Sequence, residues 1–124
     1  MHNNPSPSEI IEAVKLFIDE TAAPNLEGRA AFHARVASNI LATLLRDNEA
    51  RPQNDVDEAQ RLAELLGKQG ELPDLNRELC EKIRSGDMTV ETPNLLKHLK
   101  LTAIAQLKVD QPKYSGLQTA LDHE

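Results

Sequence analysis

The near absence of aromatic residues restricts most strongly what this chain can fold into. Only 2% of its 124 residues are aromatic, namely Phe17, Phe32 and Tyr114, whereas 18 are Leu and 14 are Ala. A core built from such a chain must be aliphatic, with Phe17 and Phe32 as its largest expected members. Leu and Ala are also strong helix formers. The composition therefore predicts an all-α protein.

Composition also excludes several functional classes. The single cysteine, Cys80, rules out a disulfide scaffold, favours a cytoplasmic location and is expected to be a small buried side chain. No apolar run approaches the roughly 18 residues of a membrane span, and the N-terminus lacks the apolar stretch of a secretory signal. A net charge of −6 and the scarcity of aromatic rings argue against nucleic-acid binding. We therefore expect neither a membrane nor a nucleic-acid partner.

Capping and breaking residues divide the chain into about five amphipathic helices. Ser6, followed by Pro7 and then by Glu9, predicts a helix start with a capping box. Pro24 stops that helix, and Gly67 marks the C-terminal end of a later one. The helices are expected at about 7–23, 28–48, 55–66, 72–85 and 93–111. No strand pattern is found.

The connections between these helices resemble short turns rather than domain boundaries. A loop is expected at 51–54, because Pro52 disfavours a continuing helix. The sequence therefore predicts a single-domain helical bundle at 7–116. A flexible N-terminus (1–6) precedes it, and a frayed C-terminal tail (117–124) follows it.

Two polar residues interrupt the apolar face of the second helix. Arg29 and His33 lie one turn apart on this face. The apolar arc around them consists of Phe32, Val36, Ile40, Leu41 and Leu44. Arg35 and Asn39 lie on a separate, small and polar face that a partner could approach closely. Because an arginine or histidine buried without partners costs several kcal/mol, we expect Arg29 and His33 to be paired or open to a cleft or an interface.

Two interpretations of this segment stay open. In the structural one, Arg29 forms a salt bridge with Glu27 or Asp19, and His33 hydrogen-bonds to a backbone carbonyl. In the functional one, Arg29 holds the carboxylate or phosphate of an anionic ligand, and His33 is a weak candidate for a catalytic acid or base. The candidate ligand-binding residues are Arg29, His33, Arg35 and Asn39.

Motifs for metal, nucleotide or covalent chemistry are not found. The four histidines lack the i, i+4 spacing of a helical zinc site, and the chain has no CxxC pair. No glycine-rich phosphate loop occurs either. The sequence therefore predicts no metal and no cofactor, and it favours a protein that is not an enzyme.

Three segments taken together resemble a known family. They are LEGRAAFHARVASN (26–39), LNRELCEKIRSG (75–86) and KVDQPKYSG (108–116). They are similar to a small bacterial family of unknown function, whose members are encoded beside acyl-CoA dehydrogenases and aminoglycoside-phosphotransferase-like kinases. The resemblance spans about 7–116 and implies an accessory role linked to acyl-CoA metabolism, with no catalytic residues to carry over.

Two functional hypotheses result. The leading one is a non-catalytic accessory module that binds another protein. Its partner would be a second copy, forming a homo-oligomer such as a dimer, or an acyl-CoA dehydrogenase or kinase-like neighbour. The alternative is a binder of, or an enzyme acting on, a small anionic acyl or phosphate-bearing ligand through Arg29 and His33.

Overall fold

Helices form all the regular structure of residues 4–123, the part of the chain that this computed structural model describes. The five α-helices are α1 (Pro7–Phe17), α2 (Gly28–Leu66), α3 (Leu72–Ser85), α4 (Leu95–Asp110) and α5 (Ser115–Asp122). A π-helical turn (Ile18–Ala22) and a 3-10 turn (Ala23–Asn25) follow α1. The predicted all-α, single-domain fold class is confirmed.

The start of α1 has the predicted capping box. The Ser6 hydroxyl accepts a hydrogen bond from the backbone N–H of Glu9 at 3.2 Å. In return, a Glu9 carboxylate oxygen accepts one from the backbone N–H of Ser6 at 3.3 Å. A cap of this kind stabilises a helix by about 1 kcal/mol. Of the expected flexible N-terminus (1–6), residues 1–3 lie outside the described residues.

The predicted break at Pro52 is wrong, because α2 continues through it as one helix of 39 residues. An internal proline removes one backbone hydrogen bond and costs about 3 kcal/mol. One side-chain pair spans the site, with Arg51 lying 3.7 Å from Asp55, and a second follows it, in which Gln53 donates to Asp57 at 2.8 Å. Each pair adds only tenths of a kcal/mol, so packing further along the helix, where Leu62 is fully buried, must supply the rest.

The last two helices also differ from the sequence-based boundaries. Helix α4 begins at Leu95 rather than at Pro93, after a turn whose final residue, Asn94, has a positive φ of 70°. The expected tail (117–124) is helical through Asp122, and Leu117 in it is only 7% exposed. Burial of this leucine stabilises a segment that is too short to hold a helix by propensity alone.

Two compact units make up the chain, Met1–Ala50 and Arg51–Glu124. In the first unit, hydrogen bonds join α2 to the segment before it. Ser38, which is 4% exposed, donates its hydroxyl to a carboxylate oxygen of Asp19. Asn48 donates its side-chain amide to the Ser8 hydroxyl at 2.7 Å. The buried side of α2 in this unit is therefore small and polar.

The second unit has the aliphatic core that the composition predicts. Its buried cluster consists of Leu62, Leu75, Leu79 and Leu95, which come from α2, α3 and α4. The phenylalanines do not belong to a core: Phe17 is 59% and Phe32 is 56% exposed. Cys80 is exposed as well, so its predicted burial is wrong. The largest apolar side chains therefore lie where another molecule can reach them.

Candidate functional site

All four candidate residues of the second predicted helix are exposed. At 100° per residue, Arg29 and His33 share one face of α2, whereas Arg35 and Asn39 lie on another. The structure therefore does not bring the four together, and Arg29 and His33 are open to solvent. A role for these residues in binding an anionic ligand, or for His33 in catalysis, stays a prediction.

The proposed salt bridge between Arg29 and Asp19 is replaced by other contacts. Lys15 donates to Asp19 at 2.7 Å, and the Ser38 hydroxyl also donates to this carboxylate. These two hydrogen bonds, the one from Lys15 first, hold the pKa of Asp19 below its usual value. The His33 ring packs edge-on against Phe32, with ring centroids 5.6 Å apart. His33 thus contacts the aromatic ring of the residue before it in the chain.

An exposed row of large apolar side chains runs along α2 in the first unit. Its members follow one another at intervals of four residues, so they lie on one face of the helix. We call this row the α2 apolar stripe; it consists of Phe32, Val36, Ile40 and Leu44. The apolar face predicted from the sequence is therefore present, but it was expected to pack in the core. In the structure, Ala31 and Ser38 are the buried residues of this part of α2.

The second unit contains a polar network that reaches into its interior. Arg61 on α2 donates from Nε to Nδ1 of His98 at 3.1 Å, and from a terminal nitrogen to the Thr102 hydroxyl at 3.0 Å. His98 is only 3% exposed. Because Arg61 can only donate, Nδ1 of His98 is the acceptor and Nε2 carries the proton. The two hydrogen bonds thus fix both the guanidinium and the tautomer of the imidazole.

A cavity of about 490 Å³ lies beside this network, and we call it the Arg61–His98 cavity. Its lining residues are Arg61, Glu64, Leu65, Thr92, Pro93, Asn94, Lys97, His98 and Leu101. Sequence reasoning missed this site, because Arg61 and His98 are 37 residues apart in the chain. One signal was available: His98 follows the buried Leu95 by three residues, which places it on the buried side of α4.

Burial first, and then the positive charge of Arg61, lower the pKa of His98 below its ordinary value of 6.5. Both effects disfavour the imidazolium. The other charged side chains at the cavity are Lys97 on α4 and Glu64 on α2. His98 is therefore a neutral hydrogen-bonding group at pH 7.

The unfolding free energy is expected to depend on pH through His98. Its pKa is lower in the folded than in the unfolded state, so protons bind preferentially to the unfolded chain. The stability contributed by the neutral imidazole is complete above the unfolded pKa of 6.5 and is lost as the pH falls from there to the folded pKa. Urea unfolding across this pH range measures the loss. His98→Asn keeps an acceptor near the Nδ1 position and should show a flatter dependence; equal slopes would contradict the assignment.

Neither a metal site nor a membrane-spanning helix is found in the described residues. Among residues 4–123 no group of three or more His, Cys, Asp or Glu side chains could together hold a metal ion. In the same part of the chain, no helix combines the length and apolarity needed to cross a membrane. The polar network and the α2 apolar stripe are thus the features with the clearest functional potential.

Comparison with known proteins gives one match. No curated protein and no solved structure shows significant similarity to the chain. The model of one protein family, described as a domain of unknown function (DUF6285), matches residues 24–114 and so covers both the α2 apolar stripe and the Arg61–His98 cavity. The expected resemblance to a family of unknown function is thereby confirmed. The chain belongs to the DUF6285 family.

Proposed function

We propose that the protein is a helical accessory module that works by protein–protein contact, and that its partner at the α2 apolar stripe is a second copy of the chain. The observation that carries the proposal is the stripe itself, whose four side chains are 37–61% exposed. Full burial of one such side chain is favourable by about 1.5–3 kcal/mol. Contiguous exposed apolar surface of this kind is typical of interaction sites.

Charges at the two ends of the stripe favour a second copy as the occupant. Arg29 and Asp47 lie about five helical turns apart, so both are on the face of the stripe, one at each end. An antiparallel pair of α2 helices brings Arg29 of each copy towards Asp47 of the other, whereas a parallel pair brings like charges together. Asp47 already has an interaction within its own chain, and a carboxylate has the lone pairs to accept another donor.

The same antiparallel register matches the apolar residues. A twofold axis at the middle of the stripe sets Phe32 opposite Leu44 and Val36 opposite Ile40. Every member of the stripe then meets another member of the stripe, as a twofold-symmetric interface requires. The contact would bury the apolar stripe of each copy while the charged residues stay at its rim, the usual arrangement of protein interfaces.

A link to acyl-CoA metabolism rests on the family resemblance alone. A complex with an acyl-CoA dehydrogenase or a kinase-like neighbour therefore stays a separate prediction, and copurification with either protein would test it. The dimer contact depends on the stripe and its charges, so its test does not depend on that link.

The dimer is tested by sedimentation equilibrium of the full chain. The wild-type protein is expected to sediment at about twice its chain mass of 13.7 kDa. Ile40→Glu is expected to give a monomer, because it places two carboxylates in the middle of the apolar contact. Ile40 is 61% exposed in the single chain, so the substitution should leave the fold itself intact, as a helical circular dichroism spectrum would show.

Leu16→Glu is the matched control. Leu16 is 55% exposed on α1 and receives the same change in charge, but it lies outside the stripe, so this variant should remain a dimer. Val14→Glu tests a second exposed apolar row, formed by Ile10, Val14 and Phe17 of α1. A wild-type protein that stays monomeric at every concentration contradicts the proposal. So does a dimer that survives Ile40→Glu but is lost in Val14→Glu.

A further inference from the structure

We propose that the Arg61–His98 cavity binds a small carboxylate that carries a short aliphatic chain. This inference goes beyond the protein contact proposed above, since it concerns a different unit of the chain and a different class of ligand. It rests on three features of the cavity: a fixed arginine, a buried histidine with an unpaired N–H, and an uncapped helix N-terminus with a lysine in its first turn.

The guanidinium of Arg61 is held in place by the protein rather than free in solvent. Its hydrogen bonds to His98 and Thr102 use two of its five N–H donors. The other three are available at the cavity wall. A guanidinium fixed in this way can bind both oxygens of a carboxylate with little further loss of side-chain freedom.

His98 supplies a directed neutral donor. The side chain is 3% exposed and lines the cavity, and its Nδ1 already accepts from Arg61. Its Nε2–H has no hydrogen-bond partner among the described residues. An oxygen of a ligand in the cavity is a suitable acceptor for this N–H.

The first turn of α4 adds positive potential at the same wall. Asn94 precedes the helix without a side-chain cap, and the first turn contains no acidic residue. The N–H of Leu95 already donates to the Thr92 carbonyl at 3.2 Å, so the N–H groups of Leu96 and Lys97 are the ones that can attract an anion. The ammonium of Lys97 adds a full charge.

The remaining lining residues define the kind of anion. Glu64 is the one carboxylate in the lining, so Arg61 and Lys97 together leave a net charge of +1, which matches a monoanion better than a dianion. The side chains of Leu65, Pro93 and Leu101 provide an apolar wall. A volume of about 490 Å³ is within the range of small-molecule sites. The net charge, the apolar lining and the volume of the cavity thus favour an aliphatic monocarboxylate.

The test is calorimetric titration of the full chain with hexanoate and with hexanamide, its uncharged counterpart, at neutral pH. We expect saturable binding of hexanoate, and binding of hexanamide at least about tenfold weaker, because only the carboxylate forms charge-assisted hydrogen bonds. Binding should also shift the Nε2 resonance of His98 in the NMR spectrum. Equal affinities for the two compounds, or an unmoved His98 resonance, would overturn the proposal; this comparison needs no substitution.

Lys97→Met and Lys108→Met form a matched pair of variants on α4. Both lysines are exposed, but Lys97 lines the cavity and Lys108 lies in the last turn of the helix, outside it. Lys97→Met should weaken hexanoate binding roughly tenfold, and Lys108→Met should leave it unchanged. Equal behaviour of the two variants would overturn the site. Tighter binding of inorganic phosphate than of hexanoate would overturn the assignment to a carboxylate.

Discussion

Leu62→Ala is expected to lower the free energy of unfolding by about 3–5 kcal/mol, the largest effect of any single substitution considered. Leu62 is completely buried, and it meets Leu75, Leu79 and Leu95 in the core of the second unit. Among the described residues this buried cluster consists of leucines; Met88, which packs against it, can fill part of the space, and the rest of the cavity should persist. A domain of this size has a total stability of only about 5–15 kcal/mol.

Chemical unfolding followed by circular dichroism measures this loss. Leu96→Ala is the matched control: the same atoms are removed, but Leu96 is 54% exposed, and the expected change is below about 1 kcal/mol. Similar losses for the two variants would show that Leu62 does not occupy the centre of the core.

Arg61→Met should destabilise the protein by about 1–3 kcal/mol, the second largest effect on stability. Methionine retains much of the apolar stem, so the loss reports mainly on the hydrogen bonds. The substitution leaves Nδ1 of the buried His98 without its donor, and it removes the donor to Thr102. Thr102 is only half-buried and can bond to water instead, so most of the cost should come from His98.

A double-mutant cycle separates this network from general effects of removing an arginine. Arg61→Met and His98→Leu together should cost less than the sum of the single variants, because neither polar group is then left unmatched. Arg84→Met removes an exposed arginine of α3 and should cost little. Additive losses in the cycle would mean that the two side chains do not depend on each other.

Local signals in the sequence accounted for much of the secondary structure. The capping box at Ser6 acts within one turn of helix, so it could be recognised without knowledge of the rest of the fold. The glycine predicted to end a helix, Gly67, has the positive φ that favours glycine, and Gly86 after α3 has one as well. The break expected at Pro52 failed for the opposite reason, because packing outweighed the local cost of the proline.

The candidate sites depended on which helix faces meet, and periodicity does not contain that information. The spacing of Phe32, Val36 and Ile40 predicts one apolar face of a helix, and that face exists. Periodicity cannot say whether another helix of the same chain covers it, and in the structure these side chains are exposed. For a related reason the sequence could not predict the hydrogen bond between Arg61 and His98, since it joins residues 37 positions apart.

The sequence by itself determined an all-α chain with an aliphatic core and a capped first helix, because helix propensity, capping and periodicity act over a few residues. Only the tertiary structure decided which faces are buried. On α2 the small, polar side with Ser38 is buried, with its hydroxyl bonded to Asp19, and the large apolar side is exposed. In the second unit, packing that buried Leu62 and Leu95 also buried His98 within reach of Arg61. Burial follows from contacts between distant segments, and these contacts created both the apolar stripe and the cavity.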